Sequence, residues 1–415
     1  MKDVRNGRMP WLIWLAKHTY SKRLCAHGRL VLKNDSGADL KHNNYLYLIN
    51  HAGIMDPVLV SSVIPKHVRW VAGAYLFKSF FLRLIIGHAC TAIPKQQGRG
   101  DLTTLKTIKA ALASGDNVGL FPEGTRTWDG EMMSIDYKAL AKFIKFCKSS
   151  ILFVSLEGAF AQQPRWADFK RDGGVTVHVK SAIEAPEIEE MDVDVLASRI
   201  SEGLRFSNDE WKETVNYSYP CTRRAEGIQR LLYMCPVCRS IDSIKAEGNV
   251  IRCSRCEAEV VLDEKDNLRV EKSPEGGDAP SFKTLHEWHV WEAGEIGGAG
   301  GFAEEKGVLL QTGDADDAGR LETVSEDITV HLDGEVLHVM CNDKGADKGV
   351  SIPLGEITSM VLNAKQTMEL FCNDVLYRIR LLPDACSLKY HEFYTAYLKK
   401  VSKNNSDNNQ KEGNP

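Results

Sequence analysis

Short apolar runs separated by stretches of helical spacing dominate the first half of the chain. YLYLIN (45–50), VGLFP (118–122), ILFVSLEGA (151–159) and VTVHVKSAI (175–183) read as strands, whereas 101–114 and 136–149 combine helical spacing with good helix formers. Such alternation predicts an α/β fold, a sandwich of strands flanked by helices, with functional groups at strand ends where loops can hold them. Acidic residues 184–194 and a helix-like stretch to about 215 close this unit.

The pattern then changes character. Residues 235–256 form a small Cys-bearing module, SPEGGDAP (273–280) reads as a linker and TLHEWHVWE (284–292) as a helix. From 307 strand-like runs such as GVLLQTG, DITVHLDG and EVLHVMCND follow in quick succession, each bounded by Gly, Asp or Asn. SLKYHEFYTAYLKKV (387–401) looks like a capping amphipathic helix, and the polar tail from 403 to 415 is expected to be disordered. The expected organisation is an α/β unit over 1–218, a ribbon over 219–270, a linker with a short helix over 271–306 and a β-rich barrel or sandwich over 307–402.

Two segments near the N-terminus are apolar but charged at intervals. MPWLIWLAKHTYSKRL (9–24) has the composition of an interfacial anchor, with a core helix as the alternative; AYLFKSFFLRLIIG (74–87) either packs internally or dips into one leaflet. No run approaches the length of a spanning helix, and the N-terminus lacks a signal peptide with a small-residue cleavage site. A cytoplasmic protein resting peripherally on a membrane is expected. The formal net charge of −4 hides an asymmetry, because residues 1–182 hold 26 Lys and Arg against 13 Asp and Glu. That excess favours anionic lipid surfaces or phosphorylated ligands as partners.

The eleven Cys are an odd number, and four of them form CPVC (235–238) and CSRC (253–256). Fourteen residues separate the pairs, the spacing of a zinc ribbon in which Cys235, Cys238, Cys253 and Cys256 supply four thiolates to a structural zinc with no open position for a catalytic water. Arg239, Lys245, Arg252 and Arg255 are offset by nearby acids and lack interleaved aromatics, so no nucleic-acid partner is expected.

NHAGIMDP (50–57) and FPEGTRT (121–127) carry the candidate chemistry. His51 is of the one side-chain type suited to proton transfer near neutral pH, Asp56 is close enough to orient it across one helical turn, and Arg126 is a fixed cation with a fork suited to phosphate. A base with its orienter beside a phosphate clamp points to transfer of a group onto the hydroxyl of a phosphorylated acceptor.

Together these two segments, over residues 10–215, resemble the phospholipid and glycerol acyltransferase family. The resemblance implies that His51 is the general base and Asp56 its orienter, that a fatty acyl group leaves an acyl-CoA or acyl carrier protein thioester, and that 1-acylglycerol 3-phosphate accepts it. Glycerol 3-phosphate or another lysolipid is the alternative acceptor, and a non-catalytic lipid-binding scaffold the alternative function. It further implies that Glu123, Gly124, Thr125 and Arg126 contact the acceptor, with a backbone amide of this turn available to an oxyanion. The family's third block matches ACTAIPKQQGRG (89–100), which places Lys95 and Arg99 with the substrate, Lys95 where the family usually has Arg. ILFVSLEG (151–158) lacks the proline of the fourth block, and the element after FPEGTR reads Tyr137, Lys138, Ala139, Leu140 in place of Phe-Lys-x-Gly. The β-rich stretch resembles a pleckstrin-homology-like module with an unknown protein partner.

Overall fold

The computed structural model describes residues 29–77, 83–95, 102–273, 281–314, 321–343, 349–363 and 365–412. The expected interfacial segment 9–24 lies outside them, as do Arg99 and Cys25. The chain divides into two compact units, one of residues up to 165 with 169–221, the other of 166–168 with 222–415.

In the first unit the elements follow as β1 (Leu30–Asn34), β2 (Leu46–Ile49), α1 (Asp56–Val63), β3 (Val68–Gly73), β4 (Ile93–Lys95), α2 (Leu102–Ala113), β5 (Asn117–Leu120), α3 (Tyr137–Cys147), β6 (Ile151–Glu157), α4 (Ala159–Gln162), β7 (Val175–Ile183), α5 (Ala185–Glu190), α6 (Val193–Leu204) and α7 (Asn208–Thr214). The strands form one sheet in the order β1-β7-β6-β2-β5-β3-β4, in which β6, β2, β5, β3 and β4 run parallel and β7 runs against β6. All four residues of β2 are buried, the mark of a strand covered on both faces. Tyr47 and Ile49 join a core with Leu59 and Val60 of α1, whereas Leu46 and Leu48 face a second core with Ile108 of α2, Ile144 of α3 and Leu196 of α6. Helices therefore pack on both sides, as the strand-helix alternation predicts.

The sequence explains α3 in detail. Leu140, Ala141, Ile144 and Cys147 form one buried stripe, each buried Leu or Ile contributing about 1.5–3 kcal/mol. Asp136 caps the start by accepting from the Ala139 amide at 2.9 Å, an interaction worth about 1 kcal/mol. The Tyr137–Leu140 element is thus a helix N-terminus, where Lys138 pairs with Asp194 at 2.7 Å on the surface. In β6 the missing proline leaves the strand free to pair with β2 on one side and β7 on the other. Of the 74–87 segment, Ala74–Phe77 is a 3₁₀ turn and Arg83–Ala89 a π-helical segment whose Gly87 lies against the Phe77 ring. Among the described residues no helix is long and apolar enough to cross a membrane.

The second unit opens with a four-stranded antiparallel meander, β8 (Ile244–Glu247), β9 (Val250–Cys253), β10 (Glu259–Leu262) and β11 (Leu268–Lys272). After α8 (Leu285–Glu295) comes an eight-stranded antiparallel sheet from β12 (Gly301–Asp314) to β19 (Val375–Leu381), closed by α9 (Leu388–Glu412). Two features correct the sequence reading. β12 starts at Gly301, six residues before the expected strand-rich stretch, and α9 continues through 403–412 where disorder was expected. Extending a helix already nucleated on packed residues such as Leu388 and Tyr390 costs little per residue, so a polar tail can follow it. The ribbon and the β-rich region also fall in one unit. Fully buried Lys389 of α9 reaches Asp242 of the ribbon and, at 2.6 Å, Glu305 of β12. Fully buried Glu292 of α8 accepts from the Tyr233 and Met234 amides just before Cys235 at 3.0 and 2.9 Å. Burial pushes the Glu292 carboxyl well above the usual range.

Candidate active site

Because β2 and β5 are parallel neighbours, the two motifs that follow them leave the sheet at the same edge. This is the edge at which open α/β sheets present loops to ligands. Asn50 ends β2 with its Oδ1 accepting from the Leu156 amide at 2.7 Å, which fixes the departing chain against β6. His51 follows, then a turn, and Asp56 is the first residue of α1 with Pro57 behind it, a residue preset for a first helical turn. The expected relation across one helical turn is therefore corrected: His51 lies ahead of the helix and reaches back to its first residue.

One oxygen of Asp56 organises that loop. Oδ2 accepts from His51 Nδ1, from the Ala52 amide and from the Gly53 amide, each at 2.8 Å. The Asp56 side chain is 1% exposed and that of His51 19%. The imidazole is fixed from the side as well, stacked on Phe121 with ring centres 4.1 Å apart and planes 18° apart, with Trp70 stacked on Phe121 at 5.2 Å. Gly119 makes room for Trp70, since a Cβ there would lie 2.5 Å from the indole. A ring donating through Nδ1 keeps its lone pair at Nε2, which is the position a general base needs.

FPEGTRT folds as a turn. The Gly124 amide donates to the Phe121 carbonyl at 3.1 Å with Pro122 inside the turn, and Gly124 has φ +70°, a left-handed conformation that suits glycine. A Cβ at Gly124 would meet nothing within 4 Å, so the conformation, not crowding, selects the residue. Its amide closes the turn. Glu123 spans the motifs: Oε1 accepts from the His51 amide at 2.7 Å and Oε2 from the Met133 amide at 2.9 Å. Burial pushes its carboxyl up to about 7, opposed by those two amides. The Thr127 amide returns a bond to the His51 carbonyl at 2.8 Å.

Arg165 was not among the residues singled out in sequence. Its buried guanidinium donates from Nη1 to Thr125 Oγ1 at 3.0 Å and to the Arg126 carbonyl at 2.9 Å, and lies 4.0 Å over the buried Trp128 ring. It holds the backbone from which the half-buried Arg126 side chain projects. Lys95 is exposed at the end of β4 on the same edge, three strands from β2, or about 14 Å at sheet spacing. The structure thus brings together His51, Asp56, Glu123, Gly124, Thr125 and Arg126, and sets Lys95 apart along the edge. His67 bonds the Cys90 carbonyl at 3.0 Å.

In the second unit the sulfurs of Cys235, Cys238, Cys253 and Cys256 lie within 4.8 Å of one another. Cys235 and Cys256 are 3.7 Å apart, as are Cys238 and Cys253. A tetrahedron with Zn–S bonds of about 2.3 Å has S–S edges of about 3.8 Å, so the donor set fits that ion. The two knuckles repeat one geometry. Arg239 and Glu257, each after the second Cys, have φ of 57° and 59° and donate to the carbonyls of Cys235 and Cys253 at 2.9 and 3.0 Å.

Residues 23–155 match the Acyltransferase family. A 1-acyl-sn-glycerol-3-phosphate acyltransferase of Helicobacter pylori is 30% identical over 104 residues, covering 24% of this chain and 42% of that protein's length. The crystal structure of the 1-acyl-sn-glycerophosphate (LPA) acyltransferase PlsC from Thermotoga maritima aligns with 52% of this chain and 83% of its own at 18% identity and a TM-score of 0.41. The N-terminal PH domain of human ARAP2 aligns with 24% of this chain and 81% of its own at 14% identity and a TM-score of 0.17. Neither structural likeness is close enough to assign a fold.

Proposed function

We propose that the protein is an O-acyltransferase that moves a fatty acyl group from an acyl-CoA or acyl carrier protein thioester to the free hydroxyl of 1-acylglycerol 3-phosphate. The observation that carries this reading is the His51 Nδ1 to Asp56 Oδ2 bond at 2.8 Å, set beside FPEGTRT at the shared edge of β2 and β5. The match to the Acyltransferase family over 23–155 and the identity to the Helicobacter pylori enzyme support the reaction class.

In this reading His51 Nε2 takes the proton of the acceptor hydroxyl as its oxygen attacks the thioester carbonyl. The C–O bond forms, the C–S bond breaks, and the imidazolium returns the proton to the departing thiolate. Asp56 holds the tautomer and stabilises the imidazolium. Arg126 binds the acceptor phosphate, with Lys95 and Arg99 as further cations for it. Glu123 and Thr125 serve the site through the backbone and Arg165 bonds described above.

Cys235, Cys238, Cys253 and Cys256 hold a structural zinc, which supplies folding energy to a module with a small apolar core. The β-rich region is read as a docking module for a protein partner, and the enzyme as peripheral to the membrane.

The test is free-thiol release from an acyl thioester with and without lysophosphatidate, for wild type and His51→Ala. Lysophosphatidate-dependent release by wild type and a loss of about 10²–10⁴-fold in His51→Ala are expected. A wild type inert under conditions where a known acyltransferase works, or a fully active His51→Ala, refutes the reading.

A further inference from the structure

His51 rests on the face of Phe121 with ring centres 4.1 Å apart and planes 18° apart, and Phe121 stacks in turn with Trp70 at 5.2 Å and 13°. The order of the sheet builds this column of rings. β5 lies between β2 and β3, so Phe121, the residue after β5, meets both His51 from beyond β2 and Trp70 of β3. The far ring is anchored: the Trp70 indole N–H donates to Ser61 Oγ of α1 at 2.9 Å, and the indole lies over Gly119, its partner across β3 and β5. Phe121 is 9% exposed and Trp70 6%, so little of either ring meets solvent.

An aliphatic side chain would fill this volume as well. What a phenyl face adds is charge, because its quadrupole is negative there and attracts a cation within about 6 Å of the ring centre, most strongly where water is excluded. His51 is the group that becomes a cation when Nε2 takes a proton. Asp56 meets that charge at one edge of the imidazole, through Nδ1 at 2.8 Å, and Phe121 meets it over the face. Glu123 bonds the main-chain amide of His51 and leaves the face of the ring to Phe121.

We infer that Phe121 stabilises the His51 imidazolium through its π face, and that Trp70, seated by Ser61 and Gly119, holds Phe121 in the plane that does so. Phe121 is thereby a positioning residue that acts on the charge the base acquires. The kinetic half of this inference rests on the acyltransferase reading.

The experiment replaces Phe121 in the full chain by mono-, tri- and pentafluorophenylalanine, which keep the shape of the ring while draining and finally inverting the charge of its face. The ratio of imidazolium to imidazole at His51 is read by NMR at one fixed pH, and kcat for lysophosphatidate-dependent thiol release at a pH where the ring is neutral in every protein. The ratio is expected to fall stepwise, by about three- to tenfold over the series. A fall of about two- to threefold in kcat is expected with KM for lysophosphatidate unmoved, since the proton is only partly transferred in the transition state. The same series at Phe146, exposed on α3, is expected to change neither quantity. A constant ratio across the Phe121 series overturns the inference, as does an equal fall in the Phe146 series; a falling ratio at constant kcat overturns the role in the reaction. If the ratio falls while wild type releases no thiol, the hold on the imidazolium stands and the acyltransferase reading falls.

Discussion

Glu123 Oε1 accepts the backbone N–H of His51 at 2.7 Å across 72 positions of sequence. The acid of the second motif therefore fixes the main chain that carries the imidazole of the first, and its other oxygen is engaged with Met133. Glu123→Gln keeps the shape but places an NH₂ against one of two N–H donors. A stability loss of about 1–3 kcal/mol is expected at low pH, measured by urea unfolding. The pH dependence follows from the raised carboxyl. With a folded value of about 7 and an unfolded one near 4.5, the folded state binds more protons between them. The contribution is present below 4.5, declines as pH rises, and is lost above 7. Unfolding of wild type at pH 5 and pH 8 is expected to show this decline, and Glu123→Gln to flatten it; parallel curves for the two proteins would contradict the assignment.

Asp56→Asn tests the orienter. The amide is neutral, and its NH₂ enters either a cluster of three donors or the buried position of Oδ1. Turnover is expected to drop about 10²–10⁴-fold, with a loss of about 1–3 kcal/mol from the Ala52 and Gly53 amides. Thiol release and urea unfolding on the same preparation separate the two effects.

Arg165 acts on the acceptor loop through Thr125 and Arg126, which makes it a positioning residue. Arg165→Ala is expected to raise KM for the phosphorylated acceptor more than it lowers kcat, since the loop loses its anchor while His51 keeps Asp56. Arg165→Lys restores a charge over Trp128 but not the fork, so an intermediate KM is expected. Equal losses in kcat alone, with KM unmoved, would argue against this role.

Replacement of Cys235 and Cys253 by Ser is expected to remove one zinc per chain, read by elemental analysis. A site of this kind supplies about 10 kcal/mol to its module. Chelation of wild type should therefore expose residues 222–272 to limited proteolysis, and a metal-free wild type would end the zinc assignment.

Much of this was legible in sequence where one segment carries the signal by itself. YLYLI and VGLFP are apolar runs because β2 and β5 are covered on both faces, and each ends at its motif. The CxxC pairs announce a four-sulfur cluster through spacing alone. What pairs distant segments was hidden. Arg165 sits in QQPRWADF, a polar stretch without periodicity, and its partners Thr125, Arg126 and Trp128 lie some forty residues earlier. The stacking of Phe121 on His51 likewise depends on β2 and β5 being neighbours, which no local pattern states. At 403–412 composition misled because helix extension was already supported from the packed part of α9.

The sheet order has a kinetic consequence. β2 is flanked by β5 and β6, both later in the chain, and β1 pairs in register with β7, Leu30 opposite Val175. A nascent chain that has just produced the His51 loop has neither neighbour for β2, and β1 waits through more than a hundred further residues for β7. Such pairings make closure of loops the slow step of folding. During synthesis this unit is expected to remain open, with a bare apolar strand to shield, until β7 has emerged, so both halves of the site become rigid late and together.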